Sequence, residues 1–235
     1  MIKKLYGVWF CAVFTLFALA TLVLALVVPG ELRRRQLARS AARFVFRLCG
    51  AWPLVSGLDN LPAEPAVVVA NHASYLDGIL LTAALPERFQ FVIKREMTSI
   101  PVAHLLLRRV GAHFVERSDT HGGAKDLRSI MQTAGNGGSL VFFPEGTFRQ
   151  ESGIRRFRNG AFAVAFRGGM PLVPVAISGT RAMLPANSVL PSPGPLRIDI
   201  HPAFEPAEHQ TIEAAIRYCR ERIIKSTGEP DLHAA

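Results

Sequence analysis

Cysteine, lysine and tyrosine are scarce in this chain, and the short motifs of several common enzyme classes are missing. Three cysteines in 235 residues, Cys11, Cys49 and Cys219, are odd in number and widely scattered. They match neither disulfide nor zinc spacing, which fits a reducing compartment and inert thiols. There is no G-x-S-x-G stretch, so no serine nucleophile is expected on a strand-to-helix elbow. The glycines of "TAGNGGS" (133–139) are not followed by GK[ST], which argues against a nucleotide P-loop. No internal repeat or low-complexity linker divides the chain. One globular core with an appendage is the expectation at this length.

The charge that is present is mostly arginine. Net charge is +9 with a pI near 10.2, and only five of the 27 basic residues are lysine. Such a balance favours an anionic partner: nucleic acid, a phospholipid surface or a phosphorylated substrate. The N-terminal region narrows the choice to lipid. From Val8 to Val28 run 21 residues without charge, Gly or Pro. As a helix they would be about 30 Å long, the thickness of a bilayer core. Lys3 and Lys4 could open a signal peptide, but the run is too long for one and meets Arg33, Arg34 and Arg35 rather than a cleavage site. Residues 1–30 are therefore expected to anchor the chain in a membrane (the inner membrane if bacterial). The arginine-rich remainder should lie on the cytoplasmic side. A hairpin entering one leaflet is the alternative.

Residues 31–56 read as a basic amphipathic juxtamembrane helix. Arg35, Arg39, Arg43 and Arg47 recur every four residues, with Leu37, Ala41, Phe44, Leu48 and Trp52 mainly opposite. Two placements fit the pattern. The helix could lie in the headgroup region with its arginines on lipid phosphates, or it could cover the core with them in water.

Beyond Pro53, apolar β-rich runs (66–70, 89–94, 112–116, 139–143, 171–177, 195–200) alternate with helix-like stretches near 77–85, 101–109, 122–134, 158–168 and 208–226. This is the pattern of an α/β domain, here spanning 57–228, with a mixed, largely parallel sheet wrapped by helices. Residues 229–235 read as a frayed tail. In such sheets ligands gather beyond the carboxyl ends of the strands.

Two polar stretches fall at such ends. "VVVANHASYLDG" (67–78) carries His72 and Asp77, and "FPEGTFR" (143–149) carries Glu145 in a Pro-Glu-Gly-Thr turn with exposed backbone amides. Lys94, Arg95, Arg117 and Arg149 follow other strands nearby. Arg155, Arg156 and Arg158 stand beyond, where a solvated face explains them as well as ligand binding does. An imidazole is largely neutral in the cytoplasm and can take a hydroxyl proton in a transition state. Asp77, beginning a helix, can reach back to the far ring nitrogen and hold the tautomer, as in a serine protease. A base without a protein nucleophile suggests that the nucleophile comes from the substrate. No third His or carboxylate stands at ligand spacing near His72, so no metal is expected. The His-x4-Asp pair alone is a weak signal; all of these stretches in this order are far more specific.

"NHASYLDG", "IKREMTSIPVAHLLLRRVGAHFVERSD", "LVFFPEGTFR" and "VPVAISGTR" resemble the four ordered motif blocks of the glycerophospholipid acyltransferases, closest to the 1-acyl-glycerol-3-phosphate acyltransferases, across residues 50 to 205. The resemblance implies a glycerol-3-phosphate acyltransferase-like fold and a place in phospholipid biosynthesis. It further implies acyl transfer from acyl-CoA or acyl carrier protein to a lysophospholipid hydroxyl, forming phosphatidate, with no other cofactor and no nucleic acid. His72 would be the base and Asp77 its orienting partner. Lys94 and Arg117 would bind the acceptor phosphate, and Glu145, Gly146 and Thr147 would form the acceptor-binding turn, joined by Arg149. One departure stands out: Phe148 occupies the place after Gly-Thr where the family commonly has Arg. It leaves open other acceptors, such as lyso-ornithine lipid. A thioester hydrolase and a non-enzymatic anion binder are the rivals.

Overall fold

Short runs rich in valine, isoleucine and phenylalanine build a seven-stranded sheet in a computed structural model that describes residues 1–115, 130–135, 137–209 and 211–232. The strands are β1 (Leu54–Ser56), β2 (Val67–Ala70), β3 (Phe89–Lys94), β4 (His113–Val115), β5 (Ser139–Phe142), β6 (Leu172–Ser178) and β7 (Arg197–Ile200). Their order is β1-β7-β6-β2-β5-β3-β4. Among the described strands only β6 and β7 pair antiparallel, so the sheet is mixed and largely parallel, as expected.

All four residues of central β2 are buried, the mark of a strand covered on both faces. Val68 and Ala70 join the core beneath helices α2 (Glu31–Leu48) and α3 (Leu76–Ala84). Val67 and Val69 join the opposite core beneath α5 (Gly160–Gly168) and α7 (Ile212–Thr227). Between these elements lie α4 (Pro101–Arg109) and the one-turn α6 (Thr180–Met183); residues 130–135 are also helical. Each such buried aliphatic side chain contributes about 1.5–3 kcal/mol. The chain leaves β2 toward one face and β5 toward the other. These two strands are parallel neighbours, so a crevice opens between their carboxyl ends, the usual place for a ligand.

Helix α1 (Ile2–Val27) is long and apolar enough to cross a membrane. It turns through Gly30, which has a φ of 83°, into α2 and forms an antiparallel hairpin. Both ends of α1 are bound to the same body. At its C-terminus, Arg109 donates to the carbonyls of Ala25 and Leu26 and Arg34 donates to that of Val28, satisfying carbonyls the helix leaves open. Toward its N-terminus, Trp9 donates to Leu48 O, and Gly7 lies so close to Pro191 that a Cβ there would come within 2.8 Å of its carbonyl oxygen.

Three arginines of the α2 stripe are spent on the protein itself, while Arg47 is exposed and lies over the Trp52 ring. Arg35 donates to Glu87 O at 2.7 Å, Arg43 to Ala83 O at 2.9 Å, and Arg39 pairs with the Glu87 carboxylate at 3.4 Å. These guanidinium groups fasten the hairpin to the end of α3 and the loop after it. Leu32, Phe44 and Leu48 are exposed, as are Leu16, Leu19 and Val23 of α1. The helix covers the core through Ala42, Val45 and Phe46, as the second placement expects, but Arg35, Arg39 and Arg43 meet protein acceptors rather than water.

Residues 229–232, the described part of the expected tail, are held rather than frayed. Ile154 N donates to Pro230 O, Leu232 N donates to Ile154 O, and Glu229 pairs with Arg181 at 2.8 Å.

Candidate active site

The exit from β2 is set by Asn71. Its side chain donates to Ile177 O at 2.9 Å and accepts from Ile177 N at 2.7 Å, so the strand end is clamped to β6. His72 follows at a fixed angle. Asp77 is the second residue of α3 and wholly buried, and its Oδ2 accepts from His72 Nδ1 (2.9 Å), Ala73 N (2.6 Å) and Ser74 N (2.8 Å). A carboxylate in the first turn also suits the positive end of the helix. Ser74 Oγ donates to Leu184 O and braces the loop from α6. With Nδ1 committed, Nε2 is the nitrogen left for a ligand.

The other wall comes from the loop after β5. Gly146 N donates to Phe143 O, closing a turn with Pro144 at its first corner, and Gly146 itself has a φ of 82°, which favours glycine. Glu145 turns inward. One carboxylate oxygen accepts from His72 N at 2.7 Å, the other from Arg155 N at 2.8 Å. Burial raises its pKa above the ordinary value, and the two amides act in the opposite sense. Its observed contacts tie the two loops together. Phe143 stacks on the His72 ring at 4.3 Å, and Phe148 meets it edge-on at 4.7 Å.

His72, Tyr75, Lys94, Gly146, Thr147 and Phe148 line a cavity of about 870 Å³. It continues between α1, α2, α3 and α4, past Phe14, Phe17 and Leu106, and is largely apolar there. Lys94 is half-exposed on its wall and pairs with Glu96 at 2.6 Å. Thr147 and Arg149 are exposed, and Arg149 offers its carbonyl to Arg181. Arg117 lies outside the described residues. Arg155 is half-buried with its amide on Glu145, while Arg156 borders a separate cavity of about 300 Å³ beside α7. The clamp of Asn71 and the brace of Ser74 were not foreseen. A polar residue directly after a fully apolar strand is the signal that could have found Asn71.

The acyltransferase family model matches residues 53–178, more than half of the chain. The chain belongs to that family. The matched span holds every candidate residue named above, from His72 to Arg149, and stops short of α1 and α2. The chain is 31% identical over 210 residues to a chloroplast 1-acyl-sn-glycerol-3-phosphate acyltransferase of Brassica napus, covering 85% of this chain and 61% of the relative. It is 36% identical over 146 residues to a lyso-ornithine lipid O-acyltransferase of Pseudomonas aeruginosa, covering 59% of this chain and 53% of that one. The chain spans 61% and 65% of the length of two chloroplast relatives. In fold it is similar to the crystal structure of a 1-acyl-sn-glycerophosphate acyltransferase of Thermotoga maritima, with a TM-score of 0.80 at 23% identity over 95% of this chain and 94% of that one.

Proposed function

We propose that this acyltransferase moves an acyl group from a thioester, acyl-CoA or acyl carrier protein, to the free hydroxyl of 1-acyl-glycerol-3-phosphate, forming phosphatidate. The observation that carries the reading is the His72 imidazole, held at 2.9 Å by a buried carboxylate at the mouth of a long apolar cavity. A cavity of this size and lining suits a fatty chain. The acceptor hydroxyl gives its proton to His72 Nε2 as its oxygen attacks the thioester carbonyl. Asp77 steadies the imidazolium that forms. The C–S bond then breaks and the thiolate leaves with the proton. Pro144 has no N–H and that of Gly146 is spent in the turn, so the amides of Glu145 and Thr147 are this loop's candidates for the oxyanion.

Lys94, with Arg117 and Arg149, takes the acceptor phosphate in this reading, and Gly146 and Thr147 flank it. Lys94→Ala is expected to raise the acceptor KM about tenfold, as loss of one charge-assisted contact does, with the donor KM little changed. Steady-state kinetics with each substrate varied checks this; equal shifts in both would place Lys94 in the fold or the donor site.

The hairpin geometry favours a monotopic seat. With α1 held against Pro191 near its N-terminus and by Arg109 at its C-terminus, its exposed leucines and valines would enter one leaflet and bring the cavity to its lipid substrates. The domain would lie on the cytoplasmic side. Attachment through apolar surface predicts that membranes release the chain to detergent but keep it through a wash in 1 M salt. Release by salt alone would point to a purely electrostatic attachment.

A second acceptor has its own support. Phe148 places a ring where a cation would suit phosphate, and one relative is a lyso-ornithine lipid O-acyltransferase. An acceptor panel with purified chain and labelled donor decides: lysophosphatidate should give the highest kcat/KM. Preference for lyso-ornithine lipid would replace the acceptor, and fatty acid release indifferent to any lysolipid would make the protein a hydrolase.

A further inference from the structure

We infer that Phe148 and Tyr75 form an aromatic gate that decides whether His72 activates a lipid alcohol or water. The inference rests on the acyl-transfer reading of the site. A base cannot tell the two apart by chemistry, because water and a primary or secondary alcohol hold their protons about equally. In either outcome the O–H proton passes to Nε2, a C–O bond forms at the thioester carbonyl, and the C–S bond breaks with the thiolate taking up the proton. Only the owner of the oxygen differs. Selection must therefore come from what surrounds the nitrogen.

The surroundings are rings. Phe143 covers one side of the imidazole at 4.3 Å with an interplanar angle of 18°, and Phe148 closes on it edge-first at 4.7 Å and 71°. Phe148 is met in turn by Tyr75 at 4.7 Å and 89°. Tyr75 belongs to the loop after β2 and Phe148 to the loop after β5, so the pair bridges the two loops that form the crevice. Tyr75 is 61% exposed, and among the described residues its hydroxyl makes no hydrogen bond. Its ring contact is thus what ties it to the site. Both rings line the apolar cavity. The carbon skeleton of a lipid acceptor can fill the space beside them, whereas water gains nothing there. A hydrophobic wall of this kind discriminates by about 10- to 200-fold for each methylene it recognises.

The test uses the full chain in detergent micelles with labelled palmitoyl-CoA, with and without 1-acyl-glycerol-3-phosphate, measuring free fatty acid and acylated lipid together. Phe148→Ala and Tyr75→Leu are expected to raise the ratio of fatty acid to lipid product about tenfold. Phe148→Tyr and Tyr75→Phe, which keep a ring, should return it toward the wild-type value. Tyr75→Leu, at an exposed position, carries the measurement if Phe148→Ala melts at a lower temperature. An unchanged ratio in both ring deletions, or an equal fall of both products, would overturn the gate. Failure of the wild-type chain to acylate any lysolipid would instead overturn the reading beneath it, so the two failures are distinguishable.

Discussion

Replacing His72 by alanine is expected to lower acyl transfer by about 10²- to 10⁴-fold, the usual contribution of a positioned general base. The chain should stay folded, because the His72 side chain is 19% exposed and packs between rings rather than in either core. Labelled product formation and thermal melting, measured on one preparation, separate the two effects; wild-type product from a folded variant would remove the base assignment. Asp77→Asn gives a sharper reading. All three donors converge on Oδ2, while Oδ1 is buried and, among the described residues, has no hydrogen-bond partner. An asparagine can keep its carbonyl at the Oδ2 position and thereby preserve both the Nδ1–H tautomer and the loop. What it loses is the negative charge facing the imidazolium. The expected drop is about 10- to 100-fold, smaller than for His72→Ala. A drop as large as that of His72→Ala would mean that the amide rotates and inverts the tautomer.

The sequence showed some of this arrangement directly and concealed the rest for physical reasons. Strand β3 occupies 89–94 as its apolar run predicts, and the opening of α3 at Leu76 follows from the polar cluster ending at Asp77. These features are local: a strand's alternation and a carboxylate at the start of a helix carry their own evidence. Strand β1 escaped notice because it has three residues at a sheet edge, with Leu54 largely exposed. The four-residue spacing of Arg35, Arg39 and Arg43 shows that they share a face, but not what that face meets. The answer lies in the carbonyls of Ala83 and Glu87, about 40 to 50 residues away. The same limit hid the tail, whose hold depends on Glu229 and Asp231 finding Arg181 and Arg220.

Glu145 is where residue type and observed contact diverge most, and its replacement carries the second large effect. A carboxylate in a glycine turn beside a basic cluster invites a role in substrate binding, yet both of its oxygens are held by backbone amides from two separate segments. Glu145→Ala removes the acceptor for two partly buried N–H groups, each costing up to about 1–3 kcal/mol when left unpaired. It also frees the backbone of His72. A general base displaced by about 1 Å can cost about 100-fold in rate, so kcat should fall more than either KM changes. The pH dependence has a definite sign. Burial raises the Glu145 pKa above its ordinary value of 4.5, so the folded chain holds this proton more tightly than the unfolded chain. That contribution is fully present below pH 4.5 and is lost as pH rises through the higher folded value. Glu145→Gln does not titrate. The stability of the wild type relative to Glu145→Gln, followed by urea unfolding, should therefore decline as pH rises through this window and level off above it. A difference that grows with pH would mean that the two amides outweigh burial, making Glu145 a carboxylate stabilised by its loop rather than one retained at a cost to hold His72.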